Sequence, residues 1–166
     1  MRAFTEAQPS IPPSTIRRAV ADDAPAIVSL LYESFLEYES LYTVEGFAAT
    51  VISSSGVIDR MRDGPVFVAT MNSKVVGTVA IVPKSDALYI RGMAVHPGAR
   101  GQRIGEHLLV YVENLAINQG ARRLLLSTTP FLERAIRLYE SFGFKRTDEG
   151  PHELHGTPLF TMQKLL

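Results

Sequence analysis

Apolar and polar positions follow two different periods along this chain. Between Pro65 and Val95 lie three short runs: "PVFVATM", "VVGTVAIV" and "ALYIRGMAV". They are rich in β-branched and aromatic residues and bounded by turn residues, which predicts three strands, the first two joined as a hairpin through "NSK". Gly92, inside the third, predicts a bulge, because an interior glycine weakens regular pairing. From Arg103 the period changes. Ile104, Leu108, Val112, Leu115 and Ala116 recur every three or four residues, which predicts a helix closed by Gly120. "RRLLLST" (Arg122–Thr128) is a further strand. "TTPFLERAIRLYESFGF" predicts a helix with Thr129 as cap, Pro130 at its first position and Gly143 as its stop. Phe131, Ala135, Leu138 and Phe142 form its apolar stripe, with Tyr139 at the edge.

The ends of the chain complete the order. "TIRRAV" (Thr15–Val20) predicts a strand. "ADDAPAIVSLLYESFLEY" predicts a helix capped by Asp22 or Asp23, and "TVEGFAATVISSSGVIDRM" holds a second. Closing strands are expected near Phe144–Thr147 and Pro158–Lys164, with "DEGPHELHGTP" as the loop between them. The predicted order is β-α-α-β-β-β-α-β-α-β-β. Strand, helix and strand over Ala87–Thr128 favour a parallel pair with a right-handed crossover, in an otherwise antiparallel sheet. The fold class is α/β with a mixed sheet.

Length and composition narrow the possibilities. The 166 residues suit one domain, expected over 15–166. The prolines Pro9, Pro12 and Pro13 make residues 1–14 a flexible leader. Seventeen basic and seventeen acidic side chains cancel, so neither nucleic acid nor an anionic membrane is an expected partner. The absence of cysteine excludes disulfides, thiol nucleophiles and zinc–thiolate sites. The N-terminus lacks the apolar core of a signal peptide, and no apolar run approaches the ~20 residues of a membrane span. A cytoplasmic location is expected.

Candidate chemistry concentrates in "MAVHPGARGQRIGEHLL" (Met93–Leu109). A helix N-terminus leaves backbone N–H groups unpaired and carries roughly half a positive charge. Gly101 and Gly105 let the backbone approach a ligand, and Arg100 and Arg103 add charge. The expected guest is a phosphate or pyrophosphate; the competing reading is a glycine-rich turn with solvated arginines. No nucleotide-triphosphate loop or dinucleotide fingerprint fits, since no Gly-Lys pair exists and the glycines are spaced G-x-x-x-G.

The stretch "VHPGARGQRIGEHLL" resembles the acyl-coenzyme A signature [QR]-x-x-G-x-[GA] of the GNAT superfamily of N-acetyltransferases, on Arg100, Gln102, Ile104 and Gly105. Arg103 stands where the family usually has glycine. "TIRRAVADDAPAIVSLL" resembles the family's first strand and helix, and "FLERAIRLYESFGFKR" its closing helix and strand. Leu132 replaces a frequent asparagine. The resemblance implies the GNAT-like fold, with a splayed parallel strand pair, and acetyl-CoA as co-substrate with no metal. The backbone of Met93, Ala94 and Val95 would pair with pantetheine, and the N–H groups of Arg100, Gly101, Gln102, Arg103, Ile104 and Gly105 would meet the pyrophosphate. Tyr139 would be the catalytic acid, protonating the leaving thiolate; otherwise it is a core tyrosine. The acceptor would be a small-molecule or peptide amine, acetylated directly. Dimers are frequent in the superfamily, so a homodimer is among the implied states.

A base or water path must deprotonate the amine, whose free pKa is about 10.4. "ALYIRGMAV" carries no acid. Asp86, Glu33 and Glu37 are the candidates, each reading first as a solvated surface charge. The acid-free strand and Leu132 keep open a non-catalytic acyl-CoA-binding module. "HELH" has its histidines three apart rather than four on a helix, which argues against a metal motif. Tyr32, Phe35, Tyr38 and Tyr42 cluster where an acceptor could sit, although Phe35 reads first as core.

Overall fold

A computed structural model describes residues 14–166. The expected leader lies, apart from Ser14, outside the described residues. Eight strands form one sheet: β1 (Thr15–Arg18), β2 (Val66–Met71), β3 (Lys74–Pro83), β4 (Ala87–Val95), β5 (Arg123–Thr128), β6 (Lys145–Arg146), β7 (His152–Leu154) and β8 (Thr157–Leu165). The spatial order is β1-β2-β3-β4-β5-β8-β6, with β7 also on β8. Every pairing is antiparallel except β4 with β5. The mixed α/β class and its single parallel pair are as the periodicity predicts.

Five helices cover the sheet: α1 (Ala24–Phe35), α2 (Val44–Thr50), α3 (Ser54–Asp63), α4 (Ile104–Asn118) and α5 (Glu133–Phe142). Strand side chains alternate between two cores, as a pleated sheet requires. Phe67, Ala69, Val79, Ile81, Leu88 and Ile90 pack with Ile104, Leu108 and Val112 of α4. Val66, Val68, Ala80 and Ala94 pack with Ile27 and Leu31 of α1 and Val57 of α3. Leu88, Ile90 and Ala94 would share a face on a regular strand. They do not, because the register slips by one: Ala80 pairs with Arg91 and Thr78 with Ala94. Gly92, at φ +58°, supplies the extra residue. The bulge therefore turns Ala94 to the α1–α3 side, the side that Arg91 already faces by alternation.

Four expectations are corrected. The single helix expected after Tyr42 is two. Thr43 caps α2 by accepting from Gly46 N–H at 2.9 Å, and Ser53 caps α3 by accepting from Gly56 N–H at 3.3 Å. Two caps impose two starts, and Val51 between them leaves helical geometry at ψ 77°. The loop "DEGPHELHGTP" contains β7, which forms a hairpin with β8 through His155 and Gly156, both at positive φ. Thr129 and Pro130 do not start α5. A turn through Leu132 N–H to Thr129 C=O comes first, and Leu132 at ψ 60° is the actual boundary. Finally, Tyr139 is not at the edge of the α5 stripe but is its buried residue. Ala135 and Leu138 instead line a cleft. No helix among the described residues is long and apolar enough to cross a membrane.

Candidate active site

The parallel pairing of β4 with β5 runs only from Ala87–Arg123 to Ile90–Leu126. Beyond it the strands diverge, which leaves the β5-facing edge of β4 open from Arg91 to Val95. Two cavities meet at this gap. The first, of about 420 Å³, lies between β4, the start of α4 and α5, and is closed on the other side by Ser34, Phe35 and Tyr38. The second, of about 370 Å³, lies against α3, the bulge of β4, the end of β5 and the β7–β8 hairpin. Phe35, Met93, Leu132 and Tyr139 line both.

The first cavity gathers Met93, Ala94, Val95, Arg100, Gly101, Arg103, Ile104, Gly105 and Tyr139. Gln102 is the one expected site residue that lines neither cavity. The N–H of Arg100, expected among the phosphate donors, goes instead to Pro97 C=O at 3.4 Å, whereas among the described residues those of Gly101 through Glu106 donate to no backbone or side-chain acceptor. Such a run of unsatisfied donors beside a cleft suits an anion of several oxygens. Gly101, at φ +82°, adopts a backbone that L-residues rarely take. Arg103 does so too, at φ +60°, without being glycine. Arg103→Gly should therefore raise stability by about 0.5–1 kcal/mol, after allowing for the greater freedom of glycine in the unfolded chain. A melting curve checks this; a lower melting temperature would contradict it.

The arginines are not equivalent. Arg103 is exposed, while Arg100 donates to Glu37 and is four-fifths buried. His96 shapes this loop. Its Nδ1 accepts from Gly98 N–H at 3.0 Å, which leaves Nε2–H to donate to Glu33. The candidate bases are thus engaged: Glu33 by His96, Glu37 by Arg100 and Asp86 by Arg123 at 3.4 Å. None of the three lines either cavity.

Tyr139 packs edge-on to Phe144 at 5.9 Å between ring centres. Burial, with a smaller contribution from Tyr42, pushes its phenol up to about 12. Its hydroxyl makes no hydrogen bond among the described residues. Tyr42 lines the second cavity and packs against Phe131 at 4.8 Å. Burial raises its phenol as well, and Thr50 and Thr129 offset part of that rise, although the Thr129 hydroxyl is not aligned as a hydrogen-bond partner. Tyr38 lines the first cavity, whereas Tyr32 is exposed against Phe47. Phe35 is half-buried against the α1–α3 core and also reaches both cavities. Sequence reasoning missed Ser34, whose hydroxyl donates to Val95 C=O at 3.2 Å, and also Arg60, which lines the second cavity.

A sheet opened between two parallel strands, with a run of free amides at the following helix, is the arrangement that the resemblance to N-acetyltransferases implied. The family comparison agrees: residues 26–144 match the acetyltransferase (GNAT) family, and the chain belongs to it. The uncharacterized N-acetyltransferase YjgM of Escherichia coli is 29% identical over 141 residues, spanning 80% of this chain and 83% of that protein. The probable N-acetyltransferase camello of Xenopus laevis is 36% identical over 91 residues, covering 52% of this chain but only 42% of its own length. PaiA N-acetyltransferase from Thermoplasma acidophilum, solved in complex with coenzyme A, shares the fold at a TM-score of 0.80. It is 18% identical and covers 93% of this chain and 99% of its own.

Proposed function

We propose that residues 15–166 act as an acetyl-CoA-dependent N-acetyltransferase that acetylates a primary amine directly. The observation that carries this reading is the junction: Met93 and Tyr139 border both the amide-lined cavity and the second one. The first cavity takes the co-substrate and the second the acceptor. Bound acetyl-CoA supplies a thioester carbonyl and a thiol leaving group.

The chain's own residues do the rest. The free amides of Gly101–Glu106 hold the pyrophosphate, with Arg103 at the rim. The open edge of β4 over Met93–Val95 accepts pantetheine as an added strand. Leu132, in place of a polar side chain, offers packing to the same arm. An N–H of β4 polarises the thioester carbonyl; donors of this kind contribute ~2.7–4 kcal/mol to acyl transfer. Tyr139 holds a proton on its hydroxyl at neutral pH and can pass it to the thiolate. The burial that weakens this phenol as an acid also strengthens a thiolate released beside it as a base.

No carboxylate lines the second cavity among the described residues. The amine's proton must therefore leave by water. That same observation favours a second reading, a non-catalytic acyl-CoA-binding module. A panel of amines, with mass detection of product and steady-state release of coenzyme A, separates the two. Acetylated product supports the transferase, and tight cofactor binding without turnover supports the module.

A further inference from the structure

The second cavity holds an electrostatic imbalance. Arg60, on α3, reaches it and lies against the bulge, where a Cβ on Gly92 would sit 2.1 Å from Arg60 Nη1. A side chain at position 92 would press on the end of this guanidinium, and the φ of +58° there favours glycine in any case. The carboxylates on the same helix are taken: Asp59 by Arg62 at 2.9 Å and Asp63 by Arg91 at 2.7 Å. Among the described residues no carboxylate is within ion-pair reach of Arg60. Burial and the neighbouring Arg91 lower Arg60 to about 10.

Two side-chain polar atoms among the described residues are buried without a partner, Arg91 Nε and Thr129 Oγ1. Both residues line this same cavity. Buried donors left unpaired are costly, and a desolvated cation more so. A half-buried cation without a counter-ion, beside these two unpaired atoms, makes the cavity of about 370 Å³ a place for an anionic guest. Its size is that of a small molecule. Thr50, Ser127 and Thr128 add polar residues to a lining that is otherwise mostly apolar or aromatic, with Phe35, Tyr42, Leu154 and Leu159.

Resting on the assignment of this cavity to the acceptor, we infer that the acceptor is a small amine bearing an oxyanion, a carboxylate or phosphonate. The oxyanion is gripped by the Arg60 guanidinium. A planar guanidinium matches such a group with two parallel hydrogen bonds. The anion anchors the molecule at the bulge, leaving its amine free to face the junction at Met93 and Tyr139.

The probes are ω-amino acids of two to six carbons and 2-aminoethylphosphonate, each set against the n-alkylamine of matching length. Coenzyme A release should favour at least one anionic amine over its alkylamine by tenfold or more in kcat/KM. Arg60→Gln should collapse that ratio, acting mainly through KM, and Arg60→Lys should restore part of it. Calorimetry with ethylphosphonate and the matching n-alkanoates, which carry no amine, should show binding to the wild-type protein and about tenfold weaker binding to Arg60→Gln. The ligand-free Arg60→Gln protein should melt no lower than the wild type, because it loses a half-buried charge that has no counter-ion. A ratio near one, unchanged by Arg60→Gln, would overturn the inference and leave the transferase standing. Arg60-dependent binding of ethylphosphonate without acetylation of any amine would support the anion site and overturn the transferase. Neither binding nor turnover would overturn both.

Discussion

Tyr139→Phe should lower turnover by about 10²–10³-fold while changing acetyl-CoA affinity less than threefold. General acid catalysis contributes on the order of 10²–10⁴-fold. The phenyl ring keeps its edge contact with Phe144, and the lost hydroxyl leaves no partner stranded among the described residues. The effect should therefore fall on kcat and not on folding. The same substitution has a signature in alkaline stability. Burial raises the phenol from an ordinary value near 10 to about 12 in the folded chain. Below about pH 10 the group is neutral in both folded and unfolded chains and costs nothing. As pH rises from about 10 to about 12 the unfolded chain ionises first, so the native state loses about 2–3 kcal/mol. The Phe variant should lack this loss. Normal turnover in Tyr139→Phe, read by coenzyme A release, would remove Tyr139 from the chemistry.

Gly105→Val should weaken acetyl-CoA binding by about 100-fold, or ~2.7 kcal/mol. A Cβ at this position would lie 2.8 Å from Leu138 Cδ2 and 3.5 Å from Met93 Cε. Both residues line the first cavity, so the branched side chain displaces its wall from within. Gly105 also sits in the run of free amides, where bulk keeps an anion at a distance. Overpacking should cost a further ~1–3 kcal/mol of stability. Gly105→Ala separates the two effects, since one methyl group presses only on the flexible end of Leu138. Calorimetry on the folded variant is the check; unchanged affinity would contradict the assignment of this loop.

How much of this the sequence carried depends on the range of the interactions. The loop after β4 was legible because its signal is local: glycines, arginines and a helix start within a few residues. The bulge at Gly92 was legible for the same reason. The break between α2 and α3 had a local signal as well, in the caps Thr43 and Ser53, but the apolar period running through both helices masked it. The β7–β8 hairpin was hidden because its turn, His155–Gly156, lacks the usual Asn-Gly or Asp-Gly pair. The burial of Tyr139 was misplaced because an ideal helical wheel shows what faces a neighbour but not a cleft. Ala135 and Leu138 border a cleft, so the stripe is less buried than the tyrosine beside it. Arg60 left no signal. Its place is made by a glycine 32 positions later in the chain, through a bulge that folding alone brings against α3.

The account stands on one physical claim: the unpaired amides from Gly101 to Glu106 are the seat of the cofactor's pyrophosphate. Amide chemical shifts of the ¹⁵N-labelled protein, followed as coenzyme A is added, test it residue by residue. The largest changes should fall on Gly101–Glu106, with a second group over Met93–Val95 on the open edge of β4. Saturable changes that leave these amides untouched would contradict it, as would a spectrum that does not move at all.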